Sequence, residues 1–240
     1  MRYLISISYD GSKFQGFQRL KENNSVQKTI ENALTIINKK EVVIKGAGRT
    51  DRGVHALDQK AHFDLDININ PKSLKKALNG LVKPYIYIND CKLVANDFHA
   101  RFCVKEKTYI YKINIGKYNP ILNDYVNQNV KNLDIKMMKK ASKIFIGVHN
   151  FKNFVSGQRE NYDCIIYKIK FKKKNDILEI EFNGKSFYRY MVRNLVGALI
   201  EVGKHKVTSD DIKNMLENYN EKITLPTAEA CGLYLKQIKY

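Results

Sequence analysis

Hydrophobic and polar residues alternate along Arg2–Tyr9, so that Tyr3, Ile5, Ile7 and Tyr9 fall on one face of a strand. The segment "DGSKFQG" that follows reads as a turn. Ser25 is a helix-capping residue type, and Val26, Ile30, Ala33, Leu34 and Ile37 recur at helical spacing, predicting a helix to about Lys39. A short strand over Val42–Lys45 runs into a glycine-rich loop, and Gln59–Leu65 reads as the strand leaving it. Pro71 stands at a first helical position and predicts a helix to about Leu81. Strands are expected near Tyr85–Val94 and Lys107–Ile115.

The second half uses the same alphabet. Asp134 caps a helix to about Phe145, and Tyr162–Lys172 with Asp176–Phe182 form a hairpin across "KKKND". Phe187–Val202 is a strongly apolar helix, Thr208 or Ser209 caps another to about Asn218, and "GLYLKQIKY" is a closing strand. Strands and helices mix without a regular strand–helix–strand spacing, so the fold class is α+β. Each half carries several strands and two helices, which fits a pseudo-duplicated fold, although no internal repeat is visible in the letters.

Composition narrows the partners. The chain has 240 residues and 44% hydrophobic content, enough for a core, and a net charge of +18. Such an excess points to an anionic partner, nucleic acid first and an acidic membrane surface second. Richness in Lys, Asn, Ile and Tyr would supply part of that charge through coding bias alone. Cys91, Cys103, Cys164 and Cys231 stand far apart, no C-x-x-C or H-E-x-x-H occurs, and no metal site is indicated. No apolar run approaches the roughly 18 residues of a membrane span, and the N-terminus lacks a signal-peptide pattern. A cytoplasmic protein with reduced thiols is expected, with no membrane partner.

The loop at 45–59, "KGAGRTDRGVHALDQ", is where the chemistry concentrates. Gly46, Gly48 and Gly53 are spaced G-x-G-x4-G, with Asp51 where a dinucleotide fingerprint needs its third glycine. A P-loop fails as well, since Val54 and His55 follow Gly53 in place of Lys and Ser or Thr. The remaining features are a tight turn, a threonine that reads as buried, and a carboxylate, Asp51, flanked by Arg49 and Arg52. An ionised carboxylate can serve as nucleophile or base, and a free guanidinium can grip a phosphate in a bidentate manner. Taken alone, the pattern fits a salt-bridged turn at a sheet edge better than a catalytic site.

The whole loop resembles the catalytic loop of the tRNA pseudouridine synthase A family, G-R-T-D-x-G-V-H-A-x-x-Q. Further blocks of that family are recognisable in order: "YDGSKFQGFQR", "SVQKTIENAL", "DFHARFCVKEKTYIYKI", "GVHNFKNF", "SFYRYMVRNLVGALIEVG" and "GLYL". The resemblance spans essentially the whole chain. It implies the pseudouridine synthase fold, with two pseudo-duplicated halves of antiparallel sheet and flanking helices, 1–103 and 104–240, around a cleft. It implies an isomerase that converts uridine to pseudouridine at positions 38 to 40 in the anticodon stem-loop of tRNAs, without cofactor or metal, as a homodimer.

Residue by residue, the resemblance makes Asp51 the catalytic nucleophile and Arg193 the arginine paired with it. Whether the aspartate attacks C1′, adds to C6 or removes the C2′ proton stays open at this level. Independently, Arg189 and Arg193 interrupt an apolar helix with no acid three or four residues away; they either seek a partner elsewhere or reach solvent from the helix rim. Tyr109 matches the base-contacting tyrosine, whose ring would stack on a flipped uracil. Tyr109 and Tyr111 point the same way on a strand, and two core tyrosines would give the same pattern. Arg49 and Arg52 are candidate phosphate grips, Arg101 in "FHAR" a candidate RNA contact, and His55 and Gln59 either set the loop or touch RNA. Lys136, Lys139, Lys140 and Lys143 form a basic helical stripe opposite Met137, Ala141, Ile144 and Phe145, read as a solvated face or a tRNA backbone contact. The run Lys170–Lys174 is expected at a hairpin tip, in solvent or peripherally against RNA.

The chain departs from the family pattern at Phe17 for a tryptophan, Cys164 for an arginine and Glu229 for a proline, and "NGLVKPY" is a loose version of a leucine–proline segment. A binding reading competes with the catalytic one: a basic RNA-binding or RNA-chaperone protein on the same fold. A carboxylate kept between two phosphate-binding arginines favours catalysis, because it would weaken simple binding.

Overall fold

The computed structural model describes residues 1–20, 24–218 and 225–240. In chain order the elements are β1 (Arg2–Tyr9), α1 (Val26–Asn38), β2 (Lys45–Gly46), β3 (His55–Asp64), α2 (Pro71–Leu81), β4 (Ile86–Leu93), β5 (Glu106–Asn114), α3 (Ile135–Ser142), β6 (Gly147–Asn150), β7 (Asp163–Lys174), β8 (Ile177–Gly184), α4 (Met191–Gly203), α5 (Ser209–Glu217) and β9 (Leu233–Lys239). The caps predicted from sequence are made. The Ser25 side chain accepts from Lys28 N, that of Asp134 from Met137 N, and Thr208 and Asp211 cap each other reciprocally.

The chain divides into two compact units, one of Met1–Lys105 with Tyr234–Tyr240 and one of Glu106–Leu233. The expected second half, 104–240, therefore loses its last strand to the first unit. Hydrogen bonding is the reason: β9 runs parallel to β3, pairing Tyr234 with His55 and Leu235 with Ala56.

In the first unit the strand order is β4-β1-β3-β9, with β2 on β3. Strand β1 is antiparallel to β3 (Arg2↔Asp64 to Tyr9↔Ala56) and to β4 (Tyr3↔Leu93 to Tyr9↔Ile86). It is buried on both faces, Leu4 and Ser6 included, so its polar alternation marks less than it promises. Two buried polar residues place the helices. Asn79 on α2 donates to Ile88 O and accepts from Ile88 N on β4 (3.0 and 2.7 Å). Glu31 on α1 accepts from Ile44 N (3.1 Å), just ahead of the glycine loop, and meets Arg19 at 3.1 Å. Asn79 is tolerable inside because both ends of its amide are bonded, whereas the Glu31 Oε2 has no hydrogen-bond partner and is answered by the Arg19 charge.

In the second unit the order is β5-β8-β7-β6, antiparallel throughout. The β7–β8 hairpin turns at Asn175, whose left-handed φ of 51° suits asparagine. Strand β6 was not foreseen; it is four residues long and carries no alternation. Helix α4 is buried almost all round, which explains its unbroken apolar run. It begins at Met191, four residues later than Phe187, because Tyr190 adopts φ 62°. The α3 stripe also differs in register: Met138, Ala141 and Phe145 are buried, while Met137 is half-exposed.

Candidate active site

The glycine loop of the first unit is built from its buried side upward. Ala47 N donates to Lys60 O (2.7 Å), and the Gln59 Nε2 donates to Gly48 O (3.1 Å), holding the loop's entry on β3. Thr50, buried, exchanges a hydrogen bond with the Tyr9 hydroxyl (2.8 Å), and its carbonyl accepts from Phe17 N (3.1 Å). Asp51 O accepts from Val54 N (3.2 Å), closing a turn in which Gly53 takes φ 79°, a conformation open to glycine at no steric cost. Gly16, at φ 109°, lies against this turn; a Cβ there would come 3.0 Å from Thr50 O. The result is a half-buried Asp51 on a turn whose neighbours on both sides are pinned.

Burial pushes the Tyr9 hydroxyl up to about 12, with hydrogen bonds from Thr50 and Gln59 acting the other way. Tyr9 therefore stays a neutral hydroxyl at working pH. His55 is also buried: its Nδ1 accepts from Gly11 N (3.1 Å), and its ring stacks on Tyr234 at 4.6 Å. The same Nδ1 lies 3.4 Å from Asp10 Oδ1. Gly11 has no room for a side chain, since a Cβ would overlap the Val54 carbonyl.

These placements sort the first-unit candidates. His55 and Gln59 are buried, Gln59 bonded to Gly48 of the loop and His55 to Gly11. Arg49 and Arg52 flank Asp51 and are exposed, as is Arg101 after β4. Exposed guanidiniums are available to phosphate oxygens. Tyr9 and Phe17 were not singled out for the site. The alternation of β1 places Tyr9 only on one face of a strand, and its Thr50 bond joins residues 41 apart, beyond any local pattern. Phe17 fills the space that Gly46 leaves by lacking a Cβ and lies 6.4 Å from the Tyr9 ring, so phenylalanine serves where a tryptophan was expected.

In the second unit, Tyr109 on β5 is buried and meets Phe187 edge-on at 5.3 Å. Tyr111 is deeper. It donates to Glu229 O (2.8 Å), accepts from Asn127 Nδ2 (3.0 Å), and burial pushes its hydroxyl up. Of the two rings, Tyr111 is the core tyrosine. Arg193, half-buried, donates from Nε to Ala228 O (2.7 Å), and its guanidinium carbon lies 5.0 Å from the Tyr190 ring. Arg189 is exposed and lies 5.0 Å from the same ring. Cys164 is buried and donates to Ser186 O (2.8 Å), occupying a site unsuited to an arginine. Glu229 accepts from Asn129 Nδ2 (2.6 Å).

The basic stripe of Lys136, Lys139, Lys140 and Lys143 is exposed. In the Lys170–Lys174 run, strand register sets Lys170 opposite Glu181 and Lys172 opposite Glu179, so part of that charge is answered within the sheet. Among the described residues there is no group of three or more His, Cys, Asp or Glu able to hold a metal ion, and no helix long and apolar enough to cross a membrane.

Comparison with known proteins gives the family. The sequence pattern of the family described as tRNA pseudouridine synthase matches residues 5–103 and 141–240. Proteins named tRNA pseudouridine synthase A are similar along their whole length. One from Malacoplasma penetrans is 36% identical over 242 residues, covering 100% of both chains. One from Streptococcus uberis is 38% identical, covering 100% of this chain and 98% of its own, and one from Mycoplasma genitalium is 35% identical with the same coverage. The chain belongs to the tRNA pseudouridine synthase family, an isomerase family with an α+β fold.

Proposed function

We propose that this tRNA pseudouridine synthase isomerises uridine at positions 38 to 40 of the anticodon stem-loop, with Asp51 as its catalytic nucleophile. The reaction breaks the bond from ribose C1′ to uracil N1 and forms one from C1′ to C5. The C5 proton is lost and N1 gains one, so no oxidant or reductant is consumed. Asp51 supplies the carboxylate for that exchange, Arg193 supports it, and Tyr109 contacts the base. Arg49, Arg52 and Arg101 hold RNA phosphates, while His55 and Gln59 shape the loop. The protein acts in the cytoplasm, as a homodimer.

The observation that carries this reading is the loop itself. Asp51 is half-buried on a turn anchored by buried Thr50, Tyr9 and Gln59, between two exposed arginines. A preorganised carboxylate next to phosphate-binding groups costs affinity, so its presence makes sense for turnover and not for binding alone.

Asp51→Asn and Asp51→Ala test it. Both variants abolish pseudouridine formation in bulk tRNA while binding tRNA as well as the parent or slightly better, because a nucleophile acts on the chemical step and its removal relieves repulsion with phosphates. Pseudouridine mapping and filter binding on the same preparations read the two effects. Modification above background by purified Asp51→Ala overturns the assignment and leaves a basic RNA-binding protein or another nucleophile.

A further inference from the structure

We propose that Phe102, with Arg101 beside it, forms a stacking platform for an unpaired RNA base. The inference rests on the reading of the protein as a tRNA-acting enzyme but concerns residues other than Asp51 and its flanking arginines.

Phe102 lies in the segment "FHARFC" after β4 and is 77% exposed. A phenylalanine left so open forgoes the stabilisation that burial would give it. The ring is nevertheless held in place. It stacks on His99 with centroids 4.2 Å apart and planes 29° from parallel, and Phe102 N and Cys103 N both donate to His99 O (3.1 and 3.0 Å). His99 Nδ1 in turn accepts from Arg101 N (3.1 Å).

Behind this, the backbone is fixed by His62, Tyr240 and Arg2, the last of which also pairs with Asp64. Ala100 is fully buried; its N–H donates to His62 Nδ1 (3.1 Å), and its carbonyl accepts from the Tyr240 hydroxyl (2.9 Å). His62 is buried and lies 4.7 Å from the His99 ring, and Arg2 donates to Phe98 O (3.0 Å) and to Asn96 O. Desolvation and the charges of His99, Arg2 and Lys45 push His62 down to about 4, so it remains a neutral acceptor for Ala100. An exposed aromatic ring on a rigid mount is preorganised for a flat partner and loses little entropy on binding one.

Charge selects the partner. The Arg101 guanidinium carbon is 6.0 Å from the Phe102 ring centre, and Lys45, Arg2 and Arg101 all act on His99, lowering its pKa after desolvation. A ring set among cations suits a base whose own backbone is anionic. This is the combination by which single-stranded nucleic acid is bound without sequence readout. An apolar protein side chain would gain nothing from those cations.

The chain contains no tryptophan, so Phe102→Trp places one fluorophore at the platform. An unmodified tRNA transcript and a single-stranded oligouridylate quench it, and a fully paired RNA duplex does not. Phe102→Leu raises the Kd for tRNA by about 5- to 150-fold, the range that one base–aromatic stack represents, and Phe102→Tyr restores binding. The quenching persists in the Phe102→Trp, Asp51→Asn double variant, so failure of the platform and failure of the catalytic assignment are separable. Bound tRNA without quenching, or parental affinity in Phe102→Leu, overturns the proposal. So does a tryptophan signal that follows protein concentration alone and parallels self-association in sedimentation, which would give the ring to a second copy of the chain.

Discussion

Tyr9 and Thr50 meet through one buried hydrogen bond of 2.8 Å, and Thr50 is the residue immediately before Asp51. Removing the Tyr9 hydroxyl leaves the Thr50 hydroxyl buried without that partner. Such a loss costs about 1–3 kcal/mol, more than the net worth of an average hydrogen bond, because the stranded group has also given up water. Tyr9→Phe is therefore expected to lower stability by that amount, seen as a lower denaturant midpoint with an unchanged slope. An unshifted midpoint would mean that Thr50 finds another acceptor. The same reasoning separates Tyr109 from Tyr111. Tyr111 is tied by its hydroxyl to Glu229 and Asn127 and is already spent on the core. Tyr109, also buried, has the edge contact of its ring with Phe187.

At the scale of elements, α4 shows how a helix is held to a neighbouring segment. Gly197 lies against Pro226, and a Cβ at Gly197 would overlap the Pro226 carbonyl oxygen. One turn earlier Ala228 N donates to Arg193 O (3.1 Å) while Arg193 Nε donates to Ala228 O. Alanine would favour the helix by about 1 kcal/mol over glycine. Overpacking typically costs about 1–3 kcal/mol, and here the obstacle is main chain tied down by two bonds, so the clash wins. Gly197→Ala is expected to lower the melting temperature by several degrees, since each kcal/mol corresponds to about 2–4 °C in a chain of this size. It should also reduce turnover, because the segment that would move carries the acceptor for Arg193. A raised melting temperature would show that 225–228 yields freely.

At the scale of the molecule, a net charge of +18 is more than solubility requires. Exposed Arg49, Arg52, Arg101 and the α3 lysines present part of it to solvent, whereas Lys170 and Lys172 stand opposite glutamates. If the excess is an RNA footprint, tRNA affinity falls linearly with salt on logarithmic axes, with a slope of about −0.7 to −0.9 per phosphate contacted. Filter binding across a salt series measures it. An affinity that does not change with salt would assign the charge to composition and not to recognition.

Local pattern was sufficient wherever one residue's chemistry acts on its immediate neighbours. Ser25, Asp134 and Thr208 cap the helices expected of them because a side-chain oxygen needs only the amides two or three residues on. Gly53 takes the positive φ that its turn requires, and the letters around Asp51 carried the family resemblance. What the sequence could not express are bonds between distant positions. The late start of α4 at Met191 follows from the left-handed conformation of Tyr190, which few residues adopt unless packing demands it. Membership of the closing strand in the first unit is a matter of pairing Tyr234 with His55, 179 residues away. The support of Asp51 by Tyr9 and the mounting of Phe102 on His99, His62 and Tyr240 belong to the same class. Periodicity reports which residues seek burial, but the choice of partner is made by long-range packing, where one buried hydrogen bond or ring contact decides between placements that look alike in the letters.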